Sequence, residues 1–117
     1  MSSMVIDMKC LNFKKKFKNS LLKGKKISTL RMGIKDYKIG ETVRVFAGDE
    51  EIGFAKIEDV KLVRWKDIKD EDVLIEGMRR KKDLKRELNK IYGDFDEDSL
   101  FTQVIFRMLK MGKNKRR

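Results

Sequence analysis

Residues 24–31 read Gly24-Lys25-Lys26-Ile27-Ser28-Thr29-Leu30-Arg31, and this stretch combines a helix end, a turn and a strand. Gly24 suits the left-handed position that ends a helix, and residues 27–32 predict a short strand. On that strand Thr29 and Arg31 share one side, while Lys26 lies in the turn before it. Because strands rise about 3.3 Å per residue, Thr29 and Arg31 lie within about 7 Å of each other, and together with Lys26 they can hold a phosphate or a polarised carbonyl oxygen. Periodicity alone favours a solvated edge strand instead, since Lys and Arg are common throughout the chain.

A helix is predicted immediately before this stretch, over residues 13–23. Its apolar residues recur every four positions and therefore lie on one face: Phe13, Phe17 and Leu21. Asn12 is a candidate N-cap, and the alternating residues 4–10 predict a first strand. We expect the helix to pack across one opening of a curled sheet, with Lys26 and Thr29 lining a cleft there.

Three further strands are predicted from β-forming runs and turn residues. Residues 42–46 and 52–63 predict two strands joined by a hairpin turn at residues 48–51. Gly53 is expected to mark a bulge in the longer of the two. Residues 100–109 are rich in β-formers and predict a last strand.

Two short helices are predicted between these strands. Asp67 or Asp70 is expected to cap the first, which contains Val73 and Ile75 and is followed by Gly77. The second helix has apolar residues at positions i, i+4 and i+7 and closes at a glycine: Leu84, Leu88, Ile91 and Gly93. The order β-α-β-β-β-α-α-β, in which hairpins predominate, predicts a small barrel or curled sheet flanked by helices.

The large apolar side chains are expected to serve the core. Trp65 next to Arg64 could stack on a base, but a lone tryptophan in a domain of this size more often packs inside. The apolar faces of the two longer helices are likewise expected to be core rather than a groove for a partner: Phe13, Phe17, Leu84 and Leu88.

The composition indicates one domain with a polyanionic partner. The 117 residues are 40% hydrophobic and 42% charged, which suffices for one modest core. Thirty Lys and Arg against nineteen Asp and Glu give a net charge of +11, and neutralised phosphates release counterions. The basic residues cluster at residues 13–26, residues 79–90 and the tail. This clustering favours a nucleic-acid surface over a charge that only maintains solubility.

Several classes of protein are disfavoured by what the sequence lacks. No stretch approaches the roughly 20 apolar residues of a membrane span, and the start has no signal-peptide pattern, so we expect a cytoplasmic protein. Cys10 is the only cysteine and histidine is absent, which excludes an internal disulfide and a Cys/His zinc site. We expect no cofactor and no metal. Residues 1–110 are expected to form the domain, and residues 111–117 a basic, disordered tail.

Four segments, in order along the chain, resemble the ASCH domain family. The G-x-K-x-x-T-x-R signature of that family is matched by four residues: Gly24, Lys26, Thr29 and Arg31. Residues 40–45, 76–78 and 104–106 are similar to its G-D-x-V-x-V element, its E-G-hydrophobic step and its closing strand. About 100 residues are covered in the right order. Glu41 stands where the family usually has Asp.

The resemblance implies an α+β fold, a PUA-like curled β-barrel that is mostly antiparallel and has flanking helices. It also implies a small stand-alone member, which we expect to be archaeal or thermophilic. ASCH domains are expected to bind RNA, a nucleoside or a nucleotide in a cleft lined by the signature. The binding residues that it implies here are Lys25, Lys26, Thr29, Arg31, Arg79 and Arg80.

The resemblance also suggests an alternative, because some small bacterial members look like amidohydrolases that remove the acyl group from N4-acetylcytidine. It implies that Lys26, Thr29 and Glu76 would then be catalytic. An unprotonated lysine can take the proton of a threonine hydroxyl and make it nucleophilic, and a carboxylate can pass protons to the leaving amine. Glu76 could equally pair with Lys26 or Arg31 in a pure binding protein. A protein-interaction adaptor is a third hypothesis.

Overall fold

The computed structural model describes residues 8–109, which form five strands and three α-helices. The strands are β1 (Cys10–Phe13), β2 (Ser28–Met32), β3 (Thr42–Ala47), β4 (Glu50–Arg64) and β5 (Leu100–Met108). The helices are α1 (Lys18–Leu22), α2 (Asp70–Ile75) and α3 (Lys81–Tyr92). Short 3₁₀ turns precede α1 and α2, at Lys15–Phe17 and Trp65–Asp67. None of the helices in this part of the chain is long and apolar enough to cross a membrane.

The five strands form one curled sheet in the order β1-β3-β4-β5-β2. β1 pairs with β3 in parallel, and the other three pairings are antiparallel. The sheet curls far enough for its two edge strands to meet, because Arg31 on β2 donates a hydrogen bond of 3.0 Å to the carbonyl oxygen of Asn12 on β1. A curled, mostly antiparallel sheet with few helices agrees with the predicted α+β architecture.

The fifteen-residue strand β4 bends where its register with its neighbours shifts. Val45 pairs with Gly53 and Phe46 pairs with Glu51, so one extra residue is inserted beside Gly53. A second shift follows at Ile57, where β4 pairs with β5. Because a bulge bends a strand and increases its twist, these two positions help the sheet to curl. The predicted bulge at Gly53 is confirmed.

The predicted helix at the start of the chain is wrong in its first half. Asn12 and Phe13 belong to β1, which pairs in register with β3 along its whole length. Pairing with a neighbouring strand satisfies backbone groups that a helix start would leave open, so the tertiary contact overrides the four-residue apolar spacing. Helix α1 is left with Lys18–Leu22. The strand predicted at residues 4–10 lies mostly outside the described residues, and the tail at residues 111–117 lies wholly outside them.

Helices α2 and α3 occur where the sequence predicts them, with one difference at the start of α2. Lys69 is the N-cap, and its N–H donates to the carboxylate of Asp72 at 2.9 Å. The prediction that Asp67 or Asp70 caps this helix is therefore wrong. Asp67 lies in the preceding 3₁₀ turn and Asp70 is the first helical residue. The predicted glycines follow the two helices with positive φ: Gly77 and Gly93.

The core consists of two apolar clusters. The first joins β1, β3, β4 and β5 and is partly covered by Phe13 and Phe17. The second packs α2 and α3 against Leu30 of β2 and against Trp65. Trp65 is 2% exposed and meets Phe95 edge to face, with 5.3 Å between ring centroids. Its predicted place in the core is confirmed.

Candidate functional site

A cavity of about 250 Å³, which we call the cleft, opens between the two core clusters. Phe13 and Phe17, from β1 and the following 3₁₀ turn, line one side, and Leu84 and Leu88 of α3 line another. The most buried part, which we call the inner end, is lined by three polar side chains: Lys26 just before β2, Thr29 on β2 and Glu76 just after α2. The cleft therefore combines apolar walls with a few buried polar groups.

Lys26 and Glu76 form a buried ion pair at the inner end. The Nζ of Lys26 lies 3.2 Å from Oε1 of Glu76 and donates to the backbone carbonyl of Glu76 at 3.0 Å. The two side chains are only 5% and 3% exposed. The backbone brings them together, because the N–H of Ile27 donates to the carbonyl of Ile75 at 2.8 Å. This bond holds the start of β2 against the end of α2.

Gly77 allows the chain to pass close to Lys26 directly after Glu76. Its φ is 86°, a conformation that side chains other than glycine rarely adopt. A Cβ at this position would lie 3.3 Å from the Cβ of Lys26, which is closer than ordinary van der Waals contact. The glycine of the predicted E-G step thus contributes to the position of the lysine.

Ser28 completes the cluster around Glu76. Its hydroxyl donates a hydrogen bond of 2.6 Å to Oε2 of Glu76, so both carboxylate oxygens have a donor. The sequence prediction placed Ser28 on the same side of β2 as Leu30, without a role in the site. A hydroxyl on the buried side of a strand needs a hydrogen-bond partner. That requirement was the feature of the sequence that could have identified Ser28 as part of the site.

Burial raises the pKa of Glu76, and the charge of Lys26 and the hydrogen bonds from Ser28 and Lys26 oppose this rise. The carboxyl therefore takes up a proton more readily than an exposed glutamate does. A carboxyl with a raised pKa in a cavity is typical of acid–base sites, although structural ion pairs produce the same shift.

Thr29 and Arg31 lie on the other side of β2. The Nε of Arg31 donates to Oγ1 of Thr29 at 3.0 Å, and Nη2 donates to the carbonyl of Asn12. The Cζ of Arg31 is also 5.2 Å from the ring centroid of Phe13. The guanidinium is held in one orientation by these three contacts. Because Thr29 accepts from Arg31, its own hydroxyl proton remains available for a bond to a ligand.

The rings of Phe13 and Phe17 lie beside the ammonium group of Lys26. The Nζ is 5.6 Å and 4.9 Å from the two ring centroids, within the range of cation–π contacts. The prediction that these residues serve the core is confirmed, because both pack against the first core cluster, and both also line the cleft. Leu84 and Leu88 are buried in the second cluster and line the cleft as well. An apolar face that lies between the two core clusters can both pack in the core and line the cleft.

Four of the predicted site residues line the cleft together: Lys26, Thr29, Arg31 and Glu76. Lys25, Arg79 and Arg80 are exposed and lie outside it. Arg80 pairs with Asp83 on α3 at 3.1 Å. These three basic residues are therefore part of the outer surface.

Glu87 of α3 also lines the cleft, although the sequence prediction did not single it out. It lies three residues after Leu84 and next to Leu88, so the helical period places it at the border of the apolar face. That position was the signal that could have identified it. Among residues 8–109 no three His, Cys, Asp or Glu side chains come together as a metal site requires.

The sequence matches the ASCH domain over residues 4–110. The chain belongs to the ASCH domain family. The resemblance drawn from the signature residues of β2 and the segments that follow it is confirmed. Comparison with curated protein sequences gives no match.

Solved structures of the same fold include other ASCH domains. A protein from Enterococcus faecalis has a TM-score of 0.68 at 14% identity, covering 87% of this chain and 80% of that one. The ASCH domain from Lactobacillus crispatus has a TM-score of 0.60 at 18% identity, covering 78% and 69%. An ASCH protein from Zymomonas mobilis has a TM-score of 0.63 at 16% identity, covering 84% and 65%. At such identities the likeness shows the fold alone, and the predicted PUA-like α+β class is confirmed.

Proposed function

We propose that this ASCH protein binds RNA or a modified nucleoside in the cleft. The observation that carries the proposal is the burial of Lys26, Thr29 and Glu76 at the inner end of a cavity whose walls are largely apolar. Sites for small ligands typically combine apolar walls with a few convergent polar groups. A buried ion pair is costly when it serves stability alone, which favours a role in binding.

The size of the cleft favours a single nucleoside. Its volume of about 250 Å³ is close to the lower end of the roughly 300–1,000 Å³ of small-molecule sites. One base with its sugar is a ligand of this order, and neighbouring nucleotides of an RNA would have to lie outside. A base in the cleft would pack against Phe13 or Phe17, and stacking on an aromatic ring contributes about 1–3 kcal/mol per base.

The polar groups at the inner end suit the edge of such a base. Lys26 uses two of its three N–H donors on Glu76 and retains one. Arg31 and the hydroxyl of Thr29 supply further donors beside it. A carbonyl oxygen of the base, or of an acyl group attached to it, is an acceptor that these donors would bind.

Binding is tested by titration with N4-methylcytidine, which has no acyl group to hydrolyse, and with a short single-stranded RNA. Arg31→Gln is expected to weaken nucleoside binding by about 10- to 100-fold, since hydrogen bonds from charged groups contribute about 1.5–3 kcal/mol. Arg107→Gln is the matched control, because Arg107 lies on β5 outside the cleft and pairs with Glu58 at 2.8 Å. Equal effects of the two changes on nucleoside affinity, or no binding of either probe by the wild type, would refute the proposal.

The salt dependence of binding separates the cleft from the outer basic surface. With a net charge of +11, RNA affinity should fall linearly on a log–log plot against salt, because phosphate contacts release counterions. The affinity for the uncharged nucleoside should change little. A salt-independent RNA affinity would contradict a role for the basic surface.

A second candidate is an amidohydrolase acting on N4-acetylcytidine-type nucleosides, favoured by the contact between Lys26 Nζ and Glu76 Oε1. Transfer of one proton along this contact would leave a neutral amine beside a protonated carboxyl, and burial shifts the pKa of Glu76 in the direction of that protonated form. The amine would take the proton of Thr29, whose Oγ1 attacks the acyl carbonyl. The C–N bond would break as Glu76 gives its proton to the departing amino group. Water would then hydrolyse the acyl-threonine ester and restore the hydroxyl.

The observed contacts set one requirement for that reaction. Lys26 donates to Glu76, while Thr29 accepts from Arg31, so transfer from Thr29 to Lys26 requires a side-chain shift inside the cleft. Release of acetate from N4-acetylcytidine tests this candidate. Lys26→Ala, Thr29→Ala and Glu76→Gln should each reduce the rate by about 100-fold or more. Lys25→Ala, a change at the exposed neighbouring lysine, should leave the rate unchanged, and undiminished hydrolysis by Thr29→Ala would refute the mechanism.

A further inference from the structure

Glu87 of α3 lines the cleft closer to its mouth than the cluster around Lys26. Its side chain is 15% exposed, against 5% for Lys26. The neighbouring side chains of Lys14 and Lys16 are 39% and 49% exposed, so this part of the cleft borders on solvent. We call it the rim.

The two oxygens of the Glu87 carboxylate differ in their contacts. Oε2 accepts a hydrogen bond from Lys16 and lies 3.5 Å from the Nζ of Lys90. Oε1 is buried and accepts no hydrogen bond from residues 8–109; its nearest cation is the Nζ of Lys14, which forms an ion pair with it at 3.5 Å. Desolvation alone would raise the pKa of Glu87. The hydrogen bond from Lys16 and the charges of Lys16, Lys90 and Lys14 outweigh it, so the pKa is lowered.

A buried carboxylate oxygen without a donor is costly, and such groups in native proteins call for an explanation. A ligand that donates a hydrogen bond at the rim would satisfy this oxygen. The lysines beside it keep the carboxylate ionised, so it acts only as an acceptor. Because three lysine ammonium groups already surround the carboxylate, the donor it fits is an uncharged hydroxyl or N–H group.

We propose that Glu87 binds a sugar hydroxyl of the ligand and selects ribose over 2′-deoxyribose. The inference rests on the proposed function, in which the base enters the inner end. The sugar then lies at the rim, since it joins the base to the rest of an RNA chain. Lys14 and Lys16 flank the carboxylate and are placed for the adjoining phosphates. The 2′-hydroxyl, as donor and acceptor, is the group by which proteins distinguish RNA from DNA.

Glu87 has a purely structural alternative, in which its carboxylate only ties the 3₁₀ turn to α3 through Lys14 and Lys16. That role would affect stability, and it would change the affinity for both sugars equally. The ratio of the two affinities is therefore the readout that separates the alternatives.

The experiment compares the affinities of the wild-type protein for N4-methylcytidine and N4-methyl-2′-deoxycytidine. The ribonucleoside should bind about 10-fold or more tightly, and Glu87→Gln should reduce this preference by about 5- to 10-fold, because a hydrogen bond to a charged acceptor is the stronger one. Asp83→Asn is the matched control, since Asp83 is a paired carboxylate on the same helix outside the cleft. The Asp83→Asn variant should prefer the ribonucleoside to the same extent as the wild type.

Four results would overturn the inference. A wild-type protein that binds both nucleosides equally would overturn it while leaving the proposed function intact. An unchanged ratio in Glu87→Gln, or an equal loss in Asp83→Asn, would assign the preference to another group. A wild-type protein that binds neither nucleoside nor RNA would overturn the proposed function itself, and this inference with it.

Discussion

Removing the charge of Lys26 should destabilise the protein far more than removing the charge of an exposed lysine. Lys26→Met keeps the length of the side chain and leaves Glu76 without its cation, in a position where the glutamate side chain is 3% exposed. Breaking a buried pair by removing one partner typically costs about 3–5 kcal/mol, because it leaves an uncompensated buried charge. We expect the free energy of unfolding to fall by that amount.

The magnitude follows from the geometry of the pair. At 3.2 Å and an effective dielectric constant of about 20, the attraction between the two charges is about 5 kcal/mol. Desolvation costs several kcal/mol for each ion, so the intact pair contributes little net stability. A single substitution removes the attraction and leaves one desolvation cost. The double variant Lys26→Met with Glu76→Gln removes both charges, and its cost should be at least about 2 kcal/mol below the sum of the single costs.

Urea unfolding at neutral pH, followed by circular dichroism, measures the free energy of unfolding of Lys26→Met, of Glu76→Gln and of the double variant. Lys18→Met is the matched control, because Lys18 pairs with Glu50 at 2.9 Å while the two side chains are 37% and 55% exposed. Exposed pairs contribute about 0–1 kcal/mol, so this variant should be nearly as stable as the wild type.

Two results would refute this reasoning. Additive effects of the single substitutions, within about 0.5 kcal/mol, would show that the two charges are not coupled. A cost for Lys26→Met no larger than that for Lys18→Met would show that Lys26 is not buried against a carboxylate. Either result would contradict a buried ion pair between Lys26 and Glu76 at the inner end of the cleft.

The free energy of unfolding should fall as pH rises from the ordinary range of a glutamate through the raised pKa of Glu76, because the native state keeps a proton there that the unfolded state releases. Thermal unfolding at a series of pH values measures this fall in stability, and Glu76→Gln should abolish it. Ser28→Ala removes a hydrogen bond to the carboxylate, so it should extend the fall to higher pH. Identical pH profiles for the wild type and Glu76→Gln would contradict the raised pKa. Gly77→Ala should weaken N4-methylcytidine binding more than Gly93→Ala, since both glycines have positive φ but only at Gly77 would a Cβ press on Lys26, at 3.3 Å. Equal affinities of the two glycine variants would show that Gly77 does not position the lysine.

The sequence by itself determined the elements that depend on neighbouring residues. Residues 24–31 indicated a turn followed by β2, and they placed Thr29 and Arg31 on one side of that strand. The structure agrees, because alternation along a strand and a glycine after a helix are properties of adjacent positions. The signature at these positions also led to the ASCH family. The bulge at Gly53 and the second and third helices were local predictions of the same kind.

The tertiary structure decided which distant residues meet. Glu76 lies 50 residues after Lys26 in sequence, and their contact depends on how α2 packs beside β2. Phe13 belongs to a strand rather than to a helix because it pairs with Ala47 of β3, more than thirty residues further along the chain. Glu87 faces the cleft only because α3 packs on the second core cluster. Such contacts arise when the sheet curls and brings its two edges together, and no local pattern in the sequence records that closure.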